Sequence, residues 1–163
     1  MAEQEAPAPL KSLDSHDPTY VAFINKTNEN AEAWWLNFSG IPVSYGAISP
    51  GNALQMDTYI THPWVFRASD GFQLLANLSE VYFPEVGELE EDGYPLYKRV
   101  HVTAPVYSLQ EYCTRLIRKM VRKEDVNKLE IAAYLKKEIS RPPNLRRDLK
   151  VLAARRATNG SDK

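Results

Sequence analysis

The chain has 163 residues and a mass of 18.5 kDa, room for one medium domain or two small ones. Hydrophobic residues at 44% and charged residues at 25% argue against wholesale disorder and against a fibrous class. A formal net charge of −1 argues against a uniformly basic nucleic-acid binder, yet it hides an asymmetry: residues 1–104 hold 5 basic and 14 acidic side chains, net −9, and residues 105–163 hold 15 and 7, net +8.

The first residues, MAEQEAPAPL, have no basic and apolar segments of the kind that make a signal peptide, and residues 1–9 read as a disordered arm. No apolar run approaches the ~18 residues that span a bilayer. The single cysteine, Cys113, rules out an internal disulfide framework and a cysteine-rich zinc site, and a reducing compartment is expected. Asn25, Asn37, Asn77 and Asn159 each begin a glycosylation-like triplet, read as chance matches.

From residue 20 onward, β-branched and aromatic runs alternate with turn residues. Strands are predicted at 20–26, 33–38, 54–59, 64–67, 72–77, 81–83 and 96–103, with turns at Ser39-Gly40 and Ser49-Pro50-Gly51-Asn52. In the last run Leu96, Val100 and Val102 share one face and Arg99, His101 and Thr103 the other. The acidic stretch 85–92 reads as a solvated loop. About seven short strands predict an antiparallel β-sandwich domain over residues 10–105.

After Pro105 the period changes to that of a helix. Ser108-Leu109-Gln110-Glu111 is a capping box, and Leu109, Tyr112, Cys113, Leu116, Ile117 and Met120 follow on one stripe. A second helix is predicted over 124–139, stopped by Pro142-Pro143. Asn144 caps a third, with Leu145, Leu149, Leu152 and Ala153 on one face, and residues 158–163 read as a flexible tail. A small all-α domain is therefore expected after the sandwich. A unit of about 35 residues cannot bury a six-residue stripe alone. The stripe either packs within the chain or fills a groove on another protein.

The pattern Ser108-Leu109-x-x-x-Cys113-x-x-x-Ile117 resembles the BC box, the elongin C docking motif of ubiquitin-ligase substrate receptors. A wider set of motifs accompanies it. These are Trp35-Leu36-Asn37-Phe38 with Gly40, Pro42 and Tyr45; Pro50-Gly51; Tyr59-x-x-His62-x-Trp64-x-Phe66-Arg67; and Pro105-Val106-Tyr107-Ser108-Leu109. On these residues the chain resembles the von Hippel–Lindau family, substrate receptors of cullin-RING ubiquitin ligases, over roughly residues 10–157.

The resemblance implies a division of labour. The sandwich would bind the 4-hydroxyproline degron of the hypoxia-inducible factor alpha subunit through Trp35, Tyr45, Thr58, Tyr59, His62 and Trp64. Residues 106–143 would dock elongin C, with elongin B, through Leu109, Tyr112, Cys113, Leu116, Ile117 and Met120. Lys123, Val126 and Leu129 would touch the cullin scaffold that carries the RING protein. The helix 144–157 would return to pack on the sandwich. The outcome would be ubiquitination and degradation of the substrate under normoxia, with no cofactor in this chain, no nucleic acid, no membrane, and residence in cytoplasm and nucleus.

The chemistry suits those roles. A pyrrolidine ring is apolar and fits aromatic walls, while its added hydroxyl needs a donor and an acceptor, here the Thr58 hydroxyl and a His62 nitrogen. Five positions depart from the family pattern: Thr58 replaces a common Ser, Asp57 a histidine, Asp14 and His16 an Asn and an Arg, and Lys123 a proline. Read without the resemblance, Trp35 and Trp64 are equally core residues, His62 a turn residue and Tyr45 turn packing. Cys113 in an apolar stripe is a poor nucleophile, so catalysis is not expected. The alternative is a generic peptide- or RNA-binding sandwich whose Arg146, Arg147, Lys150, Arg155 and Arg156 face phosphates, although no aromatics interleave them.

Overall fold

The structure, a computed structural model, describes residues 8–159. Nine strands come first: β1 (Pro18–Asn25), β2 (Ala31–Leu36), β3 (Pro42–Ile48), β4 (Ala53–Tyr59), β5 (Trp64–Ala68), β6 (Gln73–Ala76), β7 (Glu88–Leu89), β8 (Pro95–Leu96) and β9 (Lys98–Thr103). Helix α1 (Leu109–Met120), a 3-10 helix (Lys123–Lys128), α2 (Ala133–Ile139) and α3 (Leu145–Asn159) follow. The chain divides into two compact units, one running to Ala104 and resuming at Asn144, the other Pro105–Pro143.

In the first unit seven strands form one sheet in the order β3-β2-β5-β6-β9-β1-β4. All pairs are antiparallel except β1 with β9. The sheet curls into a near-barrel sandwich whose two open edges, β3 and β4, are consecutive in the chain. Strand β5 is buried at every position, because both of its faces are covered. On one side Phe23 of β1 packs against Trp64 and Phe66, with ring centroids 5.1 Å and 4.8 Å away. On the other, Val65 joins Leu36, Val81, Leu149 and Leu152, so α3 packs on the sheet. Leu10, Trp34, Phe83 and Leu145 edge that cluster. Asn144 caps α3 by accepting the Arg147 amide, 3.1 Å. Asp148 of α3 lies 3.9 Å from the buried Arg67; burial raises the carboxyl's pKa while Arg67 opposes that shift.

In the second unit the capping box forms as expected: the Glu111 amide donates to Ser108 Oγ and the Ser108 amide to the Glu111 carboxylate. Helix α1 packs on α2 through its side opposite the apolar stripe. There Arg118 donates to the carbonyls of Glu138, Ile139 and Arg141, and Gln110 bonds Glu138.

Several expectations need correction. Strand β3 went unpredicted, since most of its side chains are exposed and it carries Gly46 at φ +91°. Residues 81–83 are no strand; only Tyr82 bridges Trp64. The acidic stretch 85–92 contains β7, paired with β8 in a small hairpin. Leu96 belongs to β8 and is exposed, while Val100 and Val102 of β9 are buried. The helix predicted over 124–139 breaks into the 3-10 helix and α2, and the break lets Val126 and Ile139 both turn inward. Ala153 is exposed, and Thr158 continues α3, its hydroxyl donating to the Arg155 carbonyl, rather than beginning a tail. At the end of the predicted arm Ala8 and Pro9 are exposed and the Ala8 carbonyl accepts from Arg156 Nη2, 2.6 Å; the rest of the arm and tail, residues 1–7 and 160–163, lies outside the described residues.

Candidate functional site

The six residues assigned to the pocket come together at the seam between the two open sheet edges. Trp64 opens β5, and its ring meets Tyr45 of edge strand β3 at 5.1 Å. Its indole Nε1 donates to Thr58 Oγ1 of edge strand β4, 3.1 Å. Trp35 of β2 lies edge-on to Tyr45 at 6.3 Å and stacks on His62 at 5.2 Å with a 27° interplanar angle. Tyr59, the last residue of β4, closes the group against His62 at 4.9 Å. Phe38 also touches both Trp35 and His62, a wall residue the sequence reading passed over. Trp34 alternates to the other face and joins the α3 cluster, as strand geometry requires.

Two polar side chains in this aromatic group are nearly sealed from solvent, Thr58 at 3% exposed and His62 at 7%. Their remaining hydrogen-bonding capacity can be read from their partners. Thr58 Oγ1 accepts from Trp64, so its own hydrogen is left to donate. His62 Nε2 lies 2.9 Å from the Asp14 carbonyl, which can only accept, so Nε2 carries the proton and Nδ1 of the neutral ring keeps a lone pair. Burial lowers the His62 pKa, against the opposing pull of the Asp14 carbonyl and carboxylate, and so favours that neutral form. The site thus pairs one donor with one acceptor inside aromatic walls, the complement of a hydroxyl on an apolar ring.

A segment before β1 holds these groups in place. Trp35 Nε1 donates to Ser12 Oγ, 2.8 Å, and Ser12 Oγ donates to the Leu36 carbonyl, 2.7 Å. Thr61 Oγ1 donates to the Asp14 carbonyl and receives the Leu13 and Asp14 amides. Ser12 and the Asp14 backbone therefore fix the Trp35 ring and the His62 tautomer. Neither role carries a periodic or compositional signal, so sequence reasoning missed Ser12 and noted Asp14 only as a departure from the family pattern. Ser12 is 2% exposed, and Ser12→Ala strands two partners; we expect a loss of roughly 1–3 kcal/mol in urea unfolding, with a change under about 0.5 kcal/mol contradicting this role.

In the second unit the stripe on α1 points away from its own packing. Leu109 is 80% and Met120 75% exposed, and Tyr112, Cys113 and Leu116 are exposed too. Ile117 is half-buried at its margin, and Thr114 on the far side is buried. Five large apolar or thiol side chains on one exposed helix face are what a groove-filling helix presents. Of the three residues assigned to a cullin contact, Lys123 is exposed and Leu129 half-buried. Val126 is 3% exposed and turned into the unit, so it supports that surface from beneath rather than forming it.

Among the described residues no group of three or more His, Cys, Asp or Glu side chains could hold a metal ion, and no helix is long and apolar enough to cross a membrane. A family model described as the VHL beta domain matches residues 10–90, and one described as the VHL box domain matches residues 107–155. An NMR structure of a protein from Eubacterium rectale is similar at 13% identity, over 60% of this chain and 98% of that one. Its TM-score of 0.27 is too low to carry an argument.

Proposed function

The chain belongs to the VHL family, substrate receptors of elongin BC–cullin ubiquitin ligases, and from that premise we propose that its sheet unit captures a prolyl-hydroxylated degron. The ligand in this reading is the 4-hydroxyproline segment of the hypoxia-inducible factor alpha subunit. The observation that carries it is the buried donor–acceptor pair, Thr58 and His62, set among Trp35, Tyr45, Tyr59 and Trp64.

Recognition follows from desolvation. A 4-hydroxyproline places its ring against the aromatic walls, receives the Thr58 hydrogen on its hydroxyl oxygen and donates its own to His62 Nδ1. Unmodified proline fills the same space but leaves both groups buried and unpaired, at roughly 1–3 kcal/mol each. A site built to bond a hydroxyl therefore rejects the analogue lacking it better than an apolar pocket does. Edge strand β4, which among the described residues pairs with β1 alone, offers an open main-chain edge beside Thr58 for an extended ligand.

The helical unit serves as the attachment. Its exposed α1 stripe fills a groove on elongin C, and elongin B, the cullin and its RING protein complete the ligase. The receptor does no chemistry itself; it raises the effective concentration of the substrate's lysines near the charged ubiquitin-conjugating enzyme. Residence in cytoplasm and nucleus follows from that partnership. Reconstitution tests the scheme: with elongin BC, cullin and RING protein present, a hydroxyprolyl degron fused to a lysine-bearing carrier acquires ubiquitin while its prolyl twin does not. Equal modification of both would overturn the proposal.

A further inference from the structure

The side chain beside the pocket's hydroxyl donor is a carboxylate. Asp57 precedes Thr58 on β4, so Thr58 points into the sandwich and Asp57 to the outer face of the same edge strand. Its oxygen Oδ1 accepts the Tyr97 hydroxyl, 2.8 Å, and Tyr97 is backed edge-on by Tyr20 at 5.9 Å, the residue paired with Asp57 across β1 and β4. The bond to Asp57 raises the Tyr97 pKa, so the phenol stays a donor and keeps the carboxylate oriented. No cation partners Asp57 among the described residues. Strands β1, β3 and β4, two of them the open edges, carry no other charged side chain. The pocket's other flank is also acidic, since the Asp14 carboxylate acts on His62.

We propose that Asp57 is a specificity-determining residue that selects degrons with lysine or arginine next to the hydroxyproline. The inference rests on the pocket reading above and deepens it. A ligand strand that adds to β4 with its hydroxyproline opposite Thr58 places an adjoining residue opposite Asp57, on the same outer face. Cross-strand partners lie about 4.5–5.5 Å apart at Cβ, within easy reach of a Lys or Arg head group. An oriented carboxylate with one oxygen uncommitted favours such a cation and repels an acidic side chain.

The test uses the full chain and hydroxyprolyl peptides that differ only at the residues adjoining the hydroxyproline, each set in turn to Lys, Ala or Glu. At low salt, Lys at one of the two positions is expected to bind about five- to tenfold more tightly than Glu, the range of exposed ion pairs counted in both signs. The ratio should shrink in about 1 M salt, where the Debye length is about 3 Å. It should fall close to one in Asp57→Asn and drop partway in Tyr97→Phe. Equal affinity for Lys and Glu peptides, or a Lys preference that survives Asp57→Asn, overturns the inference while leaving the pocket standing. Equal binding of the Ala-flanked hydroxyprolyl peptide and its prolyl twin overturns the pocket and the inference together.

Discussion

Thr58→Val is expected to weaken binding of a hydroxyprolyl peptide roughly tenfold to a hundredfold and to leave a prolyl peptide almost unaffected. Valine matches threonine in shape, so the pocket keeps its volume and loses only the hydroxyl. The ligand oxygen then has no donor in a site where Thr58 was 3% exposed, a loss of roughly 1–3 kcal/mol. A second effect accompanies it. Trp64 is 2% exposed and its Nε1 relies on Thr58 Oγ1, so the same substitution also lowers thermal stability. Thr58→Ser, which restores the hydroxyl, should recover both. His62 supplies a pH check. Its lowered pKa keeps the lone pair at Nδ1 available through neutrality, so the preference for hydroxyproline should persist at pH 7 and fade only on acidification below the ordinary histidine range. A preference that held in Thr58→Val would contradict the assignment of the donor.

The second large effect lies on the other unit. Leu109→Ala or Cys113→Phe should abolish co-purification with elongin C and leave the melting temperature of the free chain within about a degree or two. The two readouts separate because the stripe is exposed. Leu109 makes little internal contact at 80% exposure, so its truncation costs the fold almost nothing. In an interface the same side chain is an anchor, and anchors of this kind lose about 2 kcal/mol or more on truncation, a factor of roughly thirty in affinity. Cys113→Phe inserts bulk where the groove must close on the helix. Retention of elongin C by both variants would count against α1 as the docking element. Binding should also raise the chain's apparent stability, because five exposed side chains leave water together.

What the sequence made legible follows physical periodicity. The capping box at Ser108 and Glu111 and the stripe from Leu109 to Met120 were readable because caps and helical spacing are local rules. β5 was readable from its aromatic and β-branched start, Trp64-Val65-Phe66, although only the structure gives the reason for its burial: Trp64 and Phe66 face Phe23, while Val65 faces α3. β3 was not readable, because an edge strand with solvent-facing side chains and Gly46 carries no hydrophobic signal. The break between the 3-10 helix and α2 was hidden for the opposite reason. Residues 124–139 fit a helical period locally, yet the chain folds back so that Val126 and Ile139 both reach the interior.

The candidate pocket divides the same way. Its aromatic walls were proposed from motif resemblance, and the structure places them in mutual contact. The polar bracing was invisible in advance: Ser12 between Trp35 and Leu36, and the Asp14 carbonyl on His62, are contacts across 23 to 48 residues. They depend on the direction of one hydroxyl and one backbone carbonyl, which no composition or spacing records. The initial charge asymmetry also changes meaning. Arg155 of α3 pairs with Glu80 of the sheet unit, so part of the basic second half belongs with the acidic first.

The central claim is that the sheet unit reads a single hydroxyl. Calorimetric titration of the elongin-bound full chain with two peptides, identical except for proline or 4-hydroxyproline, tests it most directly. The account predicts that the hydroxylated peptide binds at least about thirtyfold more tightly, since two buried groups gain partners at roughly 1–3 kcal/mol each. Equal affinity for the two peptides would contradict it.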